Sequence, residues 1–342
     1  MSAAPDWSAF ADLDRWRPGL VAAVLRAGSV DVWASFGAAE PDGDPLTVSS
    51  PFYVASIAKQ FTAAAIGLLV LDGVICLDDP VRRWLPELEP SFTAVRVHHL
   101  LEHTAGLPDA NAVDATAGFG VEDRFTTADR VAVIARRPIA DEPGTVHRYN
   151  NHGYVLLAEI VQRATAQCLG DFMRQQVFDP LGMADTGFLD SANPGAVPGW
   201  RGGTERVTIS FRCVGDGGLA TTIADLARWH NWLSSSPLAD LMLRTRPTMD
   251  DGRLVHDAWG ISIRSHHGLR IESHGGSIDG YLASFVRFPA VAVSIVVLAN
   301  TDEYGLSGFG RRVQDFVRTQ LHRDLDFSLP PWTQTHGQPV TT

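Results

Sequence analysis

Ser56 and Lys59 stand three residues apart at the start of an apolar stretch, a spacing that puts a hydroxyl and an amine on one face of a helix. A serine at a helix N-terminus lies in the positive potential of the first-turn N–H groups, which favours an alkoxide or oxyanion there. The amine beside it would act the same way as an ammonium, or accept the serine proton once neutral. Lys59 is the single lysine among 342 residues, and the other 27 of the 28 Lys and Arg residues are arginine. A buried amine can lose its proton near neutral pH, whereas a guanidinium cannot. The pair fits a nucleophile with its proton partner. Taken alone, it fits equally a capping serine followed by a lysine whose stem lies along apolar surface.

Two further segments offer groups of the kind such a nucleophile needs. Tyr149-Asn150-Asn151 places a phenol and a carboxamide two residues apart, ahead of an apolar helix. An ammonium beside a phenol favours the phenolate, so Tyr149 can serve Ser56 as base and later act as acid toward a leaving group. Asn151 can hydrogen-bond a substrate or orient Lys59. Ser273-His274-Gly275-Gly276-Ser277 follows a predicted strand, and its paired glycines let a ligand lie close against the backbone. An N–H there could join that of Ser56 in an oxyanion hole. Read singly, the first segment is a helix start with a packed tyrosine and the second a glycine turn between strands.

The elements that must carry these groups follow from periodicity. Leu20 to Leu25 and Val30 to Phe36 are short apolar runs around Arg26-Ala27-Gly28-Ser29 and predict an antiparallel hairpin. Ile57, Phe61, Ala64, Ala65, Leu68 and Leu69 form a 3.6-residue stripe that ends at Asp72-Gly73, predicting a buried helix with Ser56 at its N-terminus. From Asp79-Pro80 to about Ser236 the pattern is mainly helical, with starts at Pro80 and at the capping-box-like Thr126 to Asp129, and apolar periods at Tyr154 to Val161 and Leu226 to Leu233. Strand patterns return at Ala258 to Ile263, Leu269 to Ser273, Tyr281 to Phe288 and Val291 to Ala299, before a helix over Phe309 to Leu321. The expected fold class is α+β: an antiparallel sheet flanked by helices, from residues 1–80 and 240–324, with a mainly helical domain over 81–239 inserted and a polar tail over 325–342.

Whole-chain properties narrow the partners. A formal net charge of −11 with no basic cluster excludes nucleic acid and anionic membrane as expected partners. No basic leader with an apolar run opens the chain, so a soluble, cytoplasmic protein is expected. Cys76, Cys168 and Cys213 are odd in number and form no CxxC, which predicts reduced, mostly buried thiols and neither a disulfide framework nor a thiolate zinc site. His99-Leu100-Leu101-Glu102-His103 matches an inverted zinc-peptidase spacing if both imidazoles share a helical face, but no third ligand is evident downstream, so no metal is expected. Loops over 118–127 and 192–212 are expected to shape the substrate pocket.

In this order and with these separations, S-x-x-K at Ser56 to Lys59, Y-x-N at Tyr149 to Asn151 and H-x-G at His274 to Gly276 resemble the serine β-lactamase and penicillin-binding-protein superfamily, in particular its class C-like serine hydrolase and esterase branch. Segments His99 to Pro108, Asp179 to Met183, Gly217 to Ala220 and Val297 to Asn300 resemble the same branch. The resemblance runs from about Phe52 to Leu321. It implies a β-lactamase/transpeptidase-like fold and an acyl-enzyme on Ser56, with Lys59 as proton partner and Tyr149 as acid/base. It further implies Asn151 as a substrate-orienting amide, the N–H groups of Ser56 and Ser277 as oxyanion hole, and no cofactor. Which of Lys59 and Tyr149 takes the first proton stays open. The lysine that β-lactamases and transpeptidases carry before the T-G is His274 here, and Arg201, Arg206 and Arg212 could each replace that cation. The implied activity is a hydrolase of small esters or amides. Acyl transfer from the same site, as in secondary metabolism, and a catalytically silent binding module are the alternatives.

Overall fold

The run Leu20–Arg26 (β1) is apolar on both sides because the sheet it enters is covered on both faces. The computed structural model describes residues 5–325 apart from 14–16, 193–194, 245–247, 251–252, 256 and 267. The expected C-terminal tail beyond residue 325 lies outside the described residues. β1 turns through Ala27 and Gly28, both at positive φ (47° and 76°), into β2 (Ser29–Phe36), with Arg26 paired to Ser29. Two left-handed residues in succession are what a tight hairpin needs to match strand twist.

A 3-10 turn over Ala55–Ile57 leads into α1 (Ala58–Leu71). Its residues from Ala58 to Gly67 are all buried, so the helix is central, where the periodic stripe predicted one buried face. Its alanines and Gly67 let neighbours approach closely on every side. The middle of the chain supplies α2 (Asn151–Thr165) and α3 (Ile223–Ser235), each capped by a side chain that accepts a first-turn N–H: Asn150 from His152 and Thr222 from Asp225. Short strands Leu219–Thr221 and Gly187–Phe188, in a region where the sequence predicts almost no strand, pair with each other, and Leu219–Thr221 pairs with Phe52–Tyr53.

The C-terminal part adds β3 (Asp257–Ala258), β4 (Ile261–His266), β5 (Leu269–Ile278), β6 (Tyr281–Phe288), β7 (Val293–Ala299) and α4 (Gly305–Leu325). The sheet order is β3-β4-β5-β6-β7-β1-β2, antiparallel throughout, so strands from both ends of the chain meet at the β7–β1 pair. Alternation sends Val21, Ala23, Leu25, Val296 and Leu298 into one apolar layer with α1, α2 and α3. Leu20, Ala22, Val24, Ile295 and Val297 enter another with Phe309, Val313 and Phe316 of α4.

Two strand predictions need correction. The run Ala258 to Ile263 is not one strand: Gly260, at φ 68°, turns the chain between β3 and β4, and any Cβ there would sit 2.7 Å from the α1 backbone at Lys59 and Gln60. His274 to Ser277 are not a turn after a strand but the continuation of β5, paired residue by residue with β6. Of the three cysteines, all free, only Cys213 is buried; Cys76 is exposed, in the connection after α1. Among the described residues no helix is long and apolar enough to cross a membrane.

Candidate active site

Ser56 sits in the tight turn that opens α1, and its Oγ lies 3.0 Å from Lys59 Nζ and 2.8 Å from Tyr149 Oη. Lys59 is fully buried. Its ammonium also donates to the backbone carbonyl of Asp216 at 2.8 Å and lies 5.0 Å and 5.7 Å from the ring centroids of Tyr149 and Tyr154. Two aromatic faces and a carbonyl replace part of the hydration that burial removes. Among the described residues no carboxylate pairs with this amine. Tyr149 is 48% exposed, so it separates the buried amine from the open side of the site.

Proton counting shows what this trio can do. A serine oxygen accepts two hydrogen bonds, and a fully protonated Lys59 and Tyr149 fill both positions. Remove one proton from the pair, and either the amine or the phenolate becomes an acceptor for the Ser56 hydroxyl. The arrangement therefore holds a hydroxyl between two groups chemically able to exchange its proton.

The backbone around Ser56 is tightly fixed. Ala55 adopts φ 44°, a left-handed conformation that costs a non-glycine residue about 1 kcal/mol or more, and such strain persists only where packing over-determines it. The packing comes from β5. Strand β4 pairs with β5 only as far as Ser262 opposite Ser273, so from His274 onward that edge of β5 is open to the Ala55–Ile57 turn, which lies along it. A Cβ on Gly276 would come within 2.2 Å of the Val54 carbonyl oxygen, so this close approach requires glycine. Gly275, Gly276 and Ser277 thus run beside Ser56.

His274 points its Nδ1 at the Gly275 carbonyl, 2.6 Å away, and its ring lies 6.1 Å from that of Tyr149. Asn151 begins α2; its buried amide oxygen has no hydrogen-bond partner, and the carbonyl that orients Lys59 is that of Asp216. The possibility that Asn151 itself orients Lys59 is therefore corrected. His99 and His103 do not share a helical face: the helix Val97–Leu101 ends before His103, which has φ 55°. His103 accepts the Asn150 N–H at Nδ1 (3.2 Å), and its ring packs 4.6 Å from Tyr149. Among the described residues no group of three or more His, Cys, Asp or Glu could hold a metal ion.

A cleft of about 230 Å³ opens beside the trio, bounded by Tyr149, His103, His274, Gly260, Ser262 and Arg264 among others. Its cation is Arg264 of β4, which has no ion-pair partner among the described residues. The three arginines expected in that role are engaged elsewhere: Arg201 with Asp279 and Glu205, Arg206 with Glu40, and Arg212 with the Leu189 carbonyl.

Residues 7–317 match the family model described as Beta-lactamase. The chain belongs to the beta-lactamase family. It is 27% identical over 283 residues to a D-aminopeptidase of Brucella anthropi, covering 77% of this chain and 52% of that protein. It is 29% identical over 301 residues to penicillin-binding protein 4* of Bacillus subtilis, covering 79% and 65%. Over 190 residues, 52% of this chain and 48% of the relative, it is 36% identical to esterase EstB of Burkholderia gladioli. The chain spans about half to two thirds of the length of these relatives. Among solved structures, D-amino acid amidase from Ochrobactrum anthropi SV3, complexed with L-phenylalanine amide, superposes with a TM-score of 0.76 at 23% identity, covering 92% and 99%. An octameric penicillin-binding protein homologue from Pyrococcus abyssi gives 0.74 at 24% identity, covering 88% and 74%. These likenesses establish the β-lactamase/transpeptidase-like fold.

Four neighbours of the trio were not placed beside it by the sequence. Asp216 acts through a backbone carbonyl, which no residue type announces. Tyr154 reads as a helix-core residue and Arg264 as an ordinary strand arginine. His103 is singled out in the sequence only as a zinc-ligand candidate that the structure does not support and within the His99 to Pro108 segment, not as a neighbour of Tyr149.

Proposed function

We propose that the protein is a serine hydrolase that cleaves small amides or esters through an acyl-enzyme on Ser56. The observation that carries this reading is Ser56 Oγ held at 3.0 Å from a buried amine and 2.8 Å from a phenol at the edge of a cleft. In the proposed reaction Ser56 Oγ attacks the carbonyl carbon while its proton passes to the Lys59–Tyr149 pair, and the oxyanion is held by the N–H groups of Ser56 and Ser277. As the C–N or C–O bond breaks, Tyr149 returns the proton to the departing nitrogen or oxygen. Water, losing its proton to the same pair, then attacks the acyl group and restores the Ser56 hydroxyl. The buried, unpartnered Asn151 oxygen is an acceptor for an N–H on the acyl side. Relatives named D-aminopeptidase and esterase support amide and ester substrates; acyl transfer to another acceptor has no support from the comparisons.

The test is a fluorophosphonate probe, p-nitrophenyl acyl esters and a panel of D- and L-amino acid amides, with the adduct located by mass spectrometry. An adduct on Ser56 and turnover abolished in Ser56→Ala are expected. No label, with Ser56→Ala matching the parent, would overturn the reading.

A further inference from the structure

Beneath the trio lies a buried charged cluster that the proposed chemistry does not use. Arg130, on the helix Thr127–Ile134, sends Nη1 to both carboxylate oxygens of Asp216 at 3.3 Å. Through Nε (3.2 Å) and Nη2 (2.5 Å) it also binds Asp114, whose other contact is His152 Nε2 at 2.9 Å. All three side chains are nearly enclosed, with 14% of Arg130, 12% of Asp114 and 14% of Asp216 exposed. Burial opposes the charge on Arg130, but the Asp216 and Asp114 carboxylates outweigh it and keep the guanidinium firmly protonated.

Asp216 therefore faces two cations through different groups. Its carboxylate goes to Arg130, and its backbone carbonyl goes to Lys59. The distinction matters for proton transfer. A carbonyl orients an ammonium without adding a full negative charge, whereas a buried carboxylate would hold Lys59 protonated. We propose that Arg130 is a positioning residue for this site: by taking the Asp216 carboxylate it leaves Lys59 only the Asp216 carbonyl, so that the amine is aimed at Ser56 without being locked into an ion pair. The inference rests on the reading of Ser56, Lys59 and Tyr149 as the reacting groups. Through Asp114 and His152 the same arginine ties the Lys59 support to the start of α2, two residues past the Tyr149-Asn150 segment.

The solitary lysine makes the idea measurable apart from turnover. With ¹³Cε-labelled lysine the protein gives one side-chain resonance, that of Lys59. In Arg130→Gln the freed Asp216 carboxylate turns to the next cation in reach, and the expected results are a Lys59 titration moved to higher pH and kcat at pH 7 down by about ten- to a hundredfold with KM little changed. In the double variant Arg130→Gln/Asp216→Asn no carboxylate remains to trap the amine, so the Lys59 titration should return toward the parent and about tenfold of kcat should be recovered. A structural role alone predicts additive losses of stability, no movement of the Lys59 resonance and no recovery. That pattern, or failure of both variants to accumulate folded, overturns the proposal. Absence of a Ser56 adduct in the parent would instead overturn the hydrolase reading, while the resonance would still report the Asp216–Lys59 geometry.

Discussion

At the scale of single residues, Lys59 shows why residue type and burial must be read together. Its pocket is built from the Tyr149 and Tyr154 rings, the Ser56 hydroxyl and the Asp216 carbonyl, and it fits a compact ammonium. An arginine would carry a permanent charge and a planar fork with five donors into a space that offers two acceptors. Lys59→Arg is expected to lower kcat by about a hundredfold or more while the protein stays folded, checked by steady-state kinetics alongside circular dichroism. Near-parental turnover would remove Lys59 from proton transfer. Arg264 makes a second, independent residue-scale prediction. It borders the same cleft as Tyr149, the proposed donor to the leaving group. An ester whose leaving group bears a carboxylate should therefore be preferred over its neutral isostere, and Arg264→Ala should reduce that ratio of kcat/KM about tenfold, the value of one charge-assisted hydrogen bond. An unchanged ratio would show that the cation does not contact substrate.

At the scale of elements, the site depends on how β5 meets the turn before α1. Gly276→Ala would drive a methyl group against the Val54 carbonyl, and relief requires β5 and the strained Ala55 turn to separate. The expected outcome is loss of Ser56 labelling by a fluorophosphonate out of proportion to any fall in Tm, since the clash lies directly beside Ser56. Labelling at the parental rate would mean the turn does not need that contact. The same junction marks how far the sequence could be read. That Ser56, Lys59 and Tyr149 meet was legible, because a helix spacing fixes the first two and the resemblance in motif order and separation implies the third. The extension of β5 through His274 to Ser277 was not, because two glycines in a row carry a turn signal, and only pairing with β6 overrides it. The break at Gly260 was hidden for a related reason. Flanking apolar residues on both short strands read as one run, and the demand for glycine arises from the distant α1 backbone.

At the scale of the molecule, a sheet buried on both faces has to admit polar side chains where helices cross it, and His230 of α3 is one of them. It is buried, its Nδ1 lies 3.4 Å from Ser294 Oγ on β7, and its ring packs 6.2 Å from that of Phe285 on β6. Burial, with a lesser contribution from the Arg287 cation, pushes its pKa down to about 4. The unfolded chain binds a proton at this histidine near pH 6.5, and the folded protein refuses it until about pH 4. Between those values the unfolded state holds more protons, so the His230 contribution is fully present above pH 6.5 and is lost as the pH falls toward 4, on the order of 3 kcal/mol in all. Asp190 works in the opposite direction. Burial raises its carboxyl to about 6, so the folded state gains stability as the pH falls from 6 toward the ordinary aspartate range. The two linkages overlap and partly cancel, which makes the parent a poor reporter of either. The informative quantity is therefore a difference. The Tm of His230→Gln minus that of the parent should rise steadily from pH 7 to pH 4.5, and the corresponding difference for Asp190→Asn should fall over the same interval. A His230→Gln difference that stays flat with pH would show that the imidazole is protonated as readily in the folded protein as in the unfolded chain.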